Sequence, residues 1–144
     1  MSKIKNKFDS AIITKLLASV AGVGYASTVL ALPTGGTVPA GGGTATIPAA
    51  VGTTLTVTQT TPKAIINWST FNVSATELVK FVQPSATSVV LNRDLSGSLS
   101  QISGALEANG NVFLINPAGV MFGAGSSVNV NGLLATTLNV TDTA

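Results

Sequence analysis

The 144-residue sequence contains no cysteine and no histidine. That removes disulfides, thiol nucleophiles, zinc sites and histidine-based acid–base chemistry together. It also leaves the redox compartment open, since a chain without thiols suits any compartment. Charge is scarce as well. Asp, Glu, Lys and Arg make up 8% of the residues, where roughly a quarter is usual for a soluble domain. Aromatic residues are 5% of the chain, so each large side chain matters for packing. What the sequence does hold is glycine, 15 residues of it, together with many Thr, Val and Asn. This composition suits extended β structure with a repetitive surface.

The few charges are unevenly placed. Lys3, Lys5, Lys7 and Lys15 precede the body, with only Asp9 against them. Beyond them Lys63, Lys80 and Arg93 stand against Glu77, Asp94, Glu107 and Asp142, so the remainder is slightly acidic. A nucleic-acid partner therefore has no support. The four later carboxylates are scattered and read as solvated surface charges. Hydrolase or lyase chemistry needs carboxylates or bases in a cluster. The sequence is read as that of a non-enzyme, with no cofactor and no metal.

Residues 1–15 form a basic leader, and residues 16–31 (LLASVAGVGYASTVLA) form an uncharged apolar run with small residues at its exit. This is the pattern of a secretory signal peptide over residues 1–31. Val29 and Ala31 occupy the two positions that a signal peptidase reads, which favours cleavage after Ala31, with Ala26 as the second choice. A membrane anchor needs about 20 strongly apolar residues, and this run is shorter and diluted by Gly, Ser and Thr. A cytosolic amphipathic helix is a third reading. Residues 32–43 (LPTGGTVPAGGG) are rich in Gly and Pro and read as a flexible leader.

From residue 44 the pattern turns period-two. Residues 44–49 and 54–60 alternate Thr with apolar side chains, placing one face inward and one outward. Pro48 and Pro62 fit an edge or a corner, and a first strand that caps an open sheet end is plausible here. Further β runs are expected over 64–73, 78–83, 89–93, 101–108, 112–115, 120–122 and 128–130. Residues 101–108 also have a helical spacing, but Gly104 weakens a helix and β runs lie on both sides. Asn109-Gly110 reads as a tight turn in which both residues tolerate positive φ. Trp68, Phe71, Phe81, Phe113 and Phe122 are the expected core aromatics.

Short β runs with no helical pattern between them make the body all-β. A sandwich, a barrel and a stacked coil remain open. Asn67, Asn72, Asn92, Asn116 and Asn131 lie near strand ends, where Asn can bond a turning backbone or a second Asn in the next rung. This favours the coil.

Several ordered blocks then resemble one family. They are NWSTFNV at 67–73, VKFVQPS at 79–85, LNR at 91–93, the run from 100 to 125 around NPAG, and VNVNGLLATT at 128–137. Together they are similar to the N-terminal secretion domain of filamentous-haemagglutinin-like exoproteins, the two-partner secretion or haemagglutination activity domain. The resemblance covers residues 44–140. It implies a right-handed, single-stranded parallel β-helix with N-terminal capping strands over 44–144. It also implies export by the Sec translocon and recognition in the periplasm by an Omp85-type outer-membrane transporter. The product would be secreted or held at the cell surface of a Gram-negative bacterium, where the domain nucleates folding of a longer exoprotein. On that reading the sequence is truncated at its C-terminus. The alternative is direct adhesion to host surface glycans or proteins. The family's Asn-Pro-Asn-Gly corner maps onto Asn116, Pro117, Ala118 and Gly119, with Ala in the third place. Its Leu-Asn-Arg block maps onto Leu91, Asn92 and Arg93. Asn116, Pro117, Gly119, Asn92 and Arg93 are thus the expected residues of a structural corner or of transporter recognition.

Overall fold

The computed structural model describes residues 31–140. The expected signal peptide over 1–31 and its cleavage sites lie, but for Ala31, outside the described residues. Eleven strands are present among the described residues, with no helix. They are β1 (Ala45–Thr46), β2 (Thr54–Gln59), β3 (Lys63–Trp68), β4 (Leu78–Val82), β5 (Val89–Asp94), β6 (Ser100–Ile102), β7 (Ala105–Ala108), β8 (Asn111–Ile115), β9 (Val120–Phe122), β10 (Ser127–Asn129) and β11 (Gly132–Thr136).

The chain winds as a parallel β-helix with three faces. One sheet runs β1-β2-β4-β7-β10, a second β11-β8-β5-β3, and a third β6-β9. Every pairing is parallel except β1 with β2. Val73 extends the third face by a parallel bridge to Ile102. Alternation fixes which side chains enter the coil. In β2 the buried residues are Leu55, Val57 and Gln59, and in β3 they are Ala64, Ile66 and Trp68. Register then stacks like upon like. Leu55, Val79, Leu106 and Val128 align on the first face, and Ala64, Val90, Val112 and Leu133 on the second. Each buried Val, Leu, Ile or Phe contributes about 1.5–3 kcal/mol relative to exposure.

The rungs are unequal. Leu55, Val79, Leu106 and Val128 fall 24, 27 and 22 residues apart. The corners absorb the difference, which is why no strict repeat is visible in the sequence. Asparagines stitch those corners. Asn131 Nδ2 donates to Asn111 Oδ1 at 3.3 Å, and Asn111 Nδ2 donates to the Ser88 carbonyl at 3.0 Å. Asn109 holds the rung beneath at both ends: its Oδ1 accepts the Gln83 N–H and its Nδ2 donates to the Gln83 carbonyl, each at 2.7 Å.

Four expectations need correction. Residues 32–43 are not a free leader but lie antiparallel along the first rung, with bridges from Thr34 to Thr70 and from Thr37 to Asn67. Leu32 is buried, and Gly42 accepts the Ile65 N–H at 2.7 Å. Gly35, Gly36 and Gly43 there serve close approach: a Cβ on Gly36 would sit 2.5 Å from the Trp68 ring. The run over 101–108 is two strands, β6 and β7, with a corner at Ser103 and Gly104. Gly104 fits that corner because a Cβ would meet the Ser74 carbonyl oxygen at 2.1 Å. Asn109-Gly110 has no positive φ at either residue. Glycine is needed there for space, with Gln83 Oε1 2.6 Å from where its Cβ would be. Residues 132–136 form a strand, β11, that the sequence pattern did not announce.

Candidate functional site: the stacked corner at Asn116

The inner edge of the second sheet carries three polar or amphipathic residues in one column. Trp68 pairs with Asp94, and the register of β5 with β8 carries the column on to Asn116. All three are buried. A buried carboxylate or amide is costly unless bonded, and here the three rungs satisfy one another.

Asp94 is the hub. Its Oδ2 accepts the Phe71 N–H at 3.0 Å from the first rung, and also the Ser100 hydroxyl. Its Oδ1 accepts the Ser96 N–H at 2.8 Å. Burial acts to raise the Asp94 carboxyl. The hydrogen bonds donated by Ser100, Ser96 and Phe71 outweigh it and hold the group below its ordinary value of 3.8. Asn116 arrives from the third rung. Its Nδ2 lies 2.8 Å from Ser100 Oγ, 2.7 Å from the Ser98 carbonyl and 3.3 Å from Asp94 Oδ2. Its Oδ1 accepts the Ala118 N–H at 2.9 Å, closing an Asx turn. The Gly119 N–H donates to the Asn116 carbonyl at 2.9 Å, and Gly119 has φ of 115°. A β-branched or other L side chain would be strained there.

Pro117 and Ala118 are exposed. Ala118 serves the corner through its N–H, which any residue but proline supplies. The substitution of Ala for the family's Asn therefore leaves the turn chemistry intact.

The Leu91-Asn92-Arg93 block splits by alternation. Asn92 points inward, accepts the Trp68 indole N–H at 2.9 Å and donates to the Phe113 carbonyl at 3.3 Å. Arg93 faces out, and its Nη2 donates to the Val140 carbonyl at 3.0 Å. Asn92 and Asn116 thus serve neighbouring parts of the corner, whereas Arg93 reaches to the far end of the described chain.

Among the expected core aromatics, Trp68, Phe71 and Phe81 are buried, and Trp68 and Phe71 meet edge to face at 5.7 Å. Phe113 and Phe122 are corrections. Phe113 falls between Val112 and Leu114, which own the inward positions of β8, so its ring lies outside the coil. There it lines a groove of about 630 Å3 with Ile65, Leu91 and Leu134. Phe122 is exposed because β9 is the outer strand of its sheet, with no rung beyond it among the described residues.

Glu77 and Asp94 were read as solvated charges, yet both are buried. The signal for Asp94 was present in the stretch Asp-Leu-Ser-Gly-Ser-Leu-Ser at 94–100. Asp and Ser two residues apart are turn formers that bond neighbouring backbone. No group of three or more acidic residues that could hold a metal occurs among the described residues.

This coil and its corner have relatives. The chain belongs to the TPS secretion domain family, whose model matches residues 34–144. The domain is thus a two-partner secretion domain, a type found in exoproteins sent across the outer membrane by a partner transporter, and the family is not one of enzymes. A heme/hemopexin-binding protein of Haemophilus influenzae strain Rd is 41% identical over 122 residues, which is 85% of this chain and 13% of that protein. A second Haemophilus influenzae heme/hemopexin-binding protein is 45% identical over 95 residues, which is 66% of this chain and 10% of the relative. The crystal structure of the HMW1 secretion domain from Haemophilus influenzae superposes with a TM-score of 0.71 at 39% identity, covering 76% of this chain and 28% of that one. The chain therefore spans about a tenth of the length of these curated relatives.

Proposed function

We propose that this chain directs a large exoprotein to an Omp85-type outer-membrane transporter and then starts its folding outside the cell. Sec export and signal peptidase cleavage deliver it to the periplasm. The transporter recognises it before the coil is complete, and the first rungs form on the far side of the membrane.

The observation that carries this reading is the antiparallel strap over the first rung, in a chain whose family model matches residues 34–144. At one end, residues 34–46 lie antiparallel on the first rung and cover its strand edges. At the other, β10 and β11 are the outer strands of their sheets and continue the parallel register. The covered end stops pairing in the wrong direction. Non-local parallel pairing forms slowly, which suits a chain that crosses a membrane before it folds.

The binding named in the heme/hemopexin-binding relatives is not carried over. The chain matches 13% and 10% of them, and it contains no His and no Cys. The test is co-expression with and without the partner transporter. Release into the medium only when the transporter is present supports the reading. Attachment of the purified chain to erythrocytes or glycans without any transporter would favour direct adhesion instead.

A further inference from the structure

Glu77 is a buried carboxylate that the secretion reading does not use. It is 1% exposed and sits in the turn before β4. Its Oε2 accepts the Ser74 N–H at 2.7 Å, a contact within its own turn. Its Oε1 accepts the N–H of Ala31 at 2.8 Å, from 46 residues away. The cationic side chains of the body lie elsewhere: Lys63 and Lys80 are exposed, and Arg93 donates to Val140. Both of these donors are neutral N–H groups, and a buried carboxylate can also take an opposite charge as its partner.

The residue that Glu77 holds is the one after which the signal sequence is read to be cut. Hydrolysis of the Ala31–Leu32 peptide bond consumes one water. Ala31 leaves with a new carboxylate, and Leu32 keeps a new amine that takes up a proton at neutral pH. Leu32 is itself fixed: it is buried in the core, and Thr34 is bonded to Thr70. The new ammonium therefore starts one residue, about 3.8 Å of Cα path, from the contact now made by Ala31. Loss of Ala31 opens the space to close that gap, because Ala31 lines a cleft with Asn72, Val73, Ser74 and Ala75.

We propose that Glu77 is the receptor for the amino terminus created by signal cleavage. This rests on the reading of residues 1–31 as a signal peptide cut after Ala31. Before cleavage Glu77 holds a neutral amide, and after it a buried ammonium–carboxylate pair. The N-terminal cap, already docked on the first rung, thus gains an ion pair to the coil only in a processed chain. The pair joins the start of the mature chain to the turn that opens the second rung.

The test uses the exported chain, recovered after processing. Its amino terminus is sequenced and its α-amine is labelled by reductive 13C-methylation and titrated by NMR. Leu32 is the expected first residue. Its amine should bind a proton at least tenfold more tightly than an ordinary α-amine, whose pKa is about 8. In Glu77→Gln the value should fall back to the ordinary range. An ordinary wild-type titration with Leu32 first overturns the inference by itself, whether or not Glu77→Gln folds. Ser27 as first residue overturns the inference and leaves the signal reading standing. Retention of Met1 in exported chain overturns the signal reading as well.

Discussion

At the residue scale, the corner depends on one amide. Asn116 Nδ2 serves Asp94, Ser98 and Ser100 at once, and Oδ1 holds the Ala118 N–H. Asn116→Ala strands several of these groups in a buried site. At about 1–3 kcal/mol for each unsatisfied group, the variant should lose about 3 kcal/mol in a denaturant titration. Ala118→Asn should change stability by less than about 0.5 kcal/mol, since residue 118 is exposed and gives only its N–H to the turn. If that variant alters secretion without altering stability, the position contacts the transporter. Asp94 contributes to stability in a pH-dependent way. Its folded-state pKa lies below its ordinary value, so its contribution is complete above about pH 4 and is lost as pH falls through the folded value. Asp94→Asn should be less stable than wild type at pH 7, with the difference shrinking below about pH 4. Unfolding midpoints measured across that range check it.

At the element scale, what was legible followed from periodicity. Residues 54–60 alternate cleanly and form a strand with the expected inward face, and the expected β run at 89–93 lies within β5. The miss at 101–108 had a physical cause. Ile102, Leu106 and the residues between them keep alternation across a corner, so pattern alone cannot show where the chain turns. The turn needs glycine because a Cβ at position 104 would collide with two carbonyl oxygens, those of Ser74 and Glu77. That fact belongs to the neighbouring rung and has no mark in the local sequence. Gly104→Ala should therefore cost about 3 kcal/mol or block folding, because backbone atoms cannot step aside. Gly125→Ala is the control, with its nearest neighbour 3.9 Å from the added carbon and an expected cost within about 0.5 kcal/mol. The N-terminal strap also differs from the expected free leader, since Gly35, Gly36 and Gly43 there mark tight packing rather than freedom. Deleting residues 32–46 would bare the Asn67 and Ile65 backbone groups now bonded to Thr37 and Gly42. Such an edge pairs with other chains, and size-exclusion chromatography should show higher oligomers.

At the scale of the whole molecule, composition led to all-β and no further. Uneven rungs hid the coil, and the family resemblance decided between coil, sandwich and barrel. The candidate site was half legible. Asn116, Pro117, Gly119 and Asn92 stood out by motif, while Asp94 and Ser100 did not, because scattered charges in a sequence look solvated until register brings them together. The aromatics show the same limit: Trp68 and Phe71 fill the core, but Phe113 faces outward by a single step of alternation. A parallel coil whose first rung is covered by an antiparallel strap, in a chain of the TPS secretion domain family, fits export by a partner transporter. The measurement that tests this most directly is release of the chain into the medium from cells with and without the partner transporter, with Asn116→Ala alongside. The account predicts release by wild type only when the transporter is present, and sharply reduced release by the variant. Equal release of wild type with the transporter deleted would contradict it.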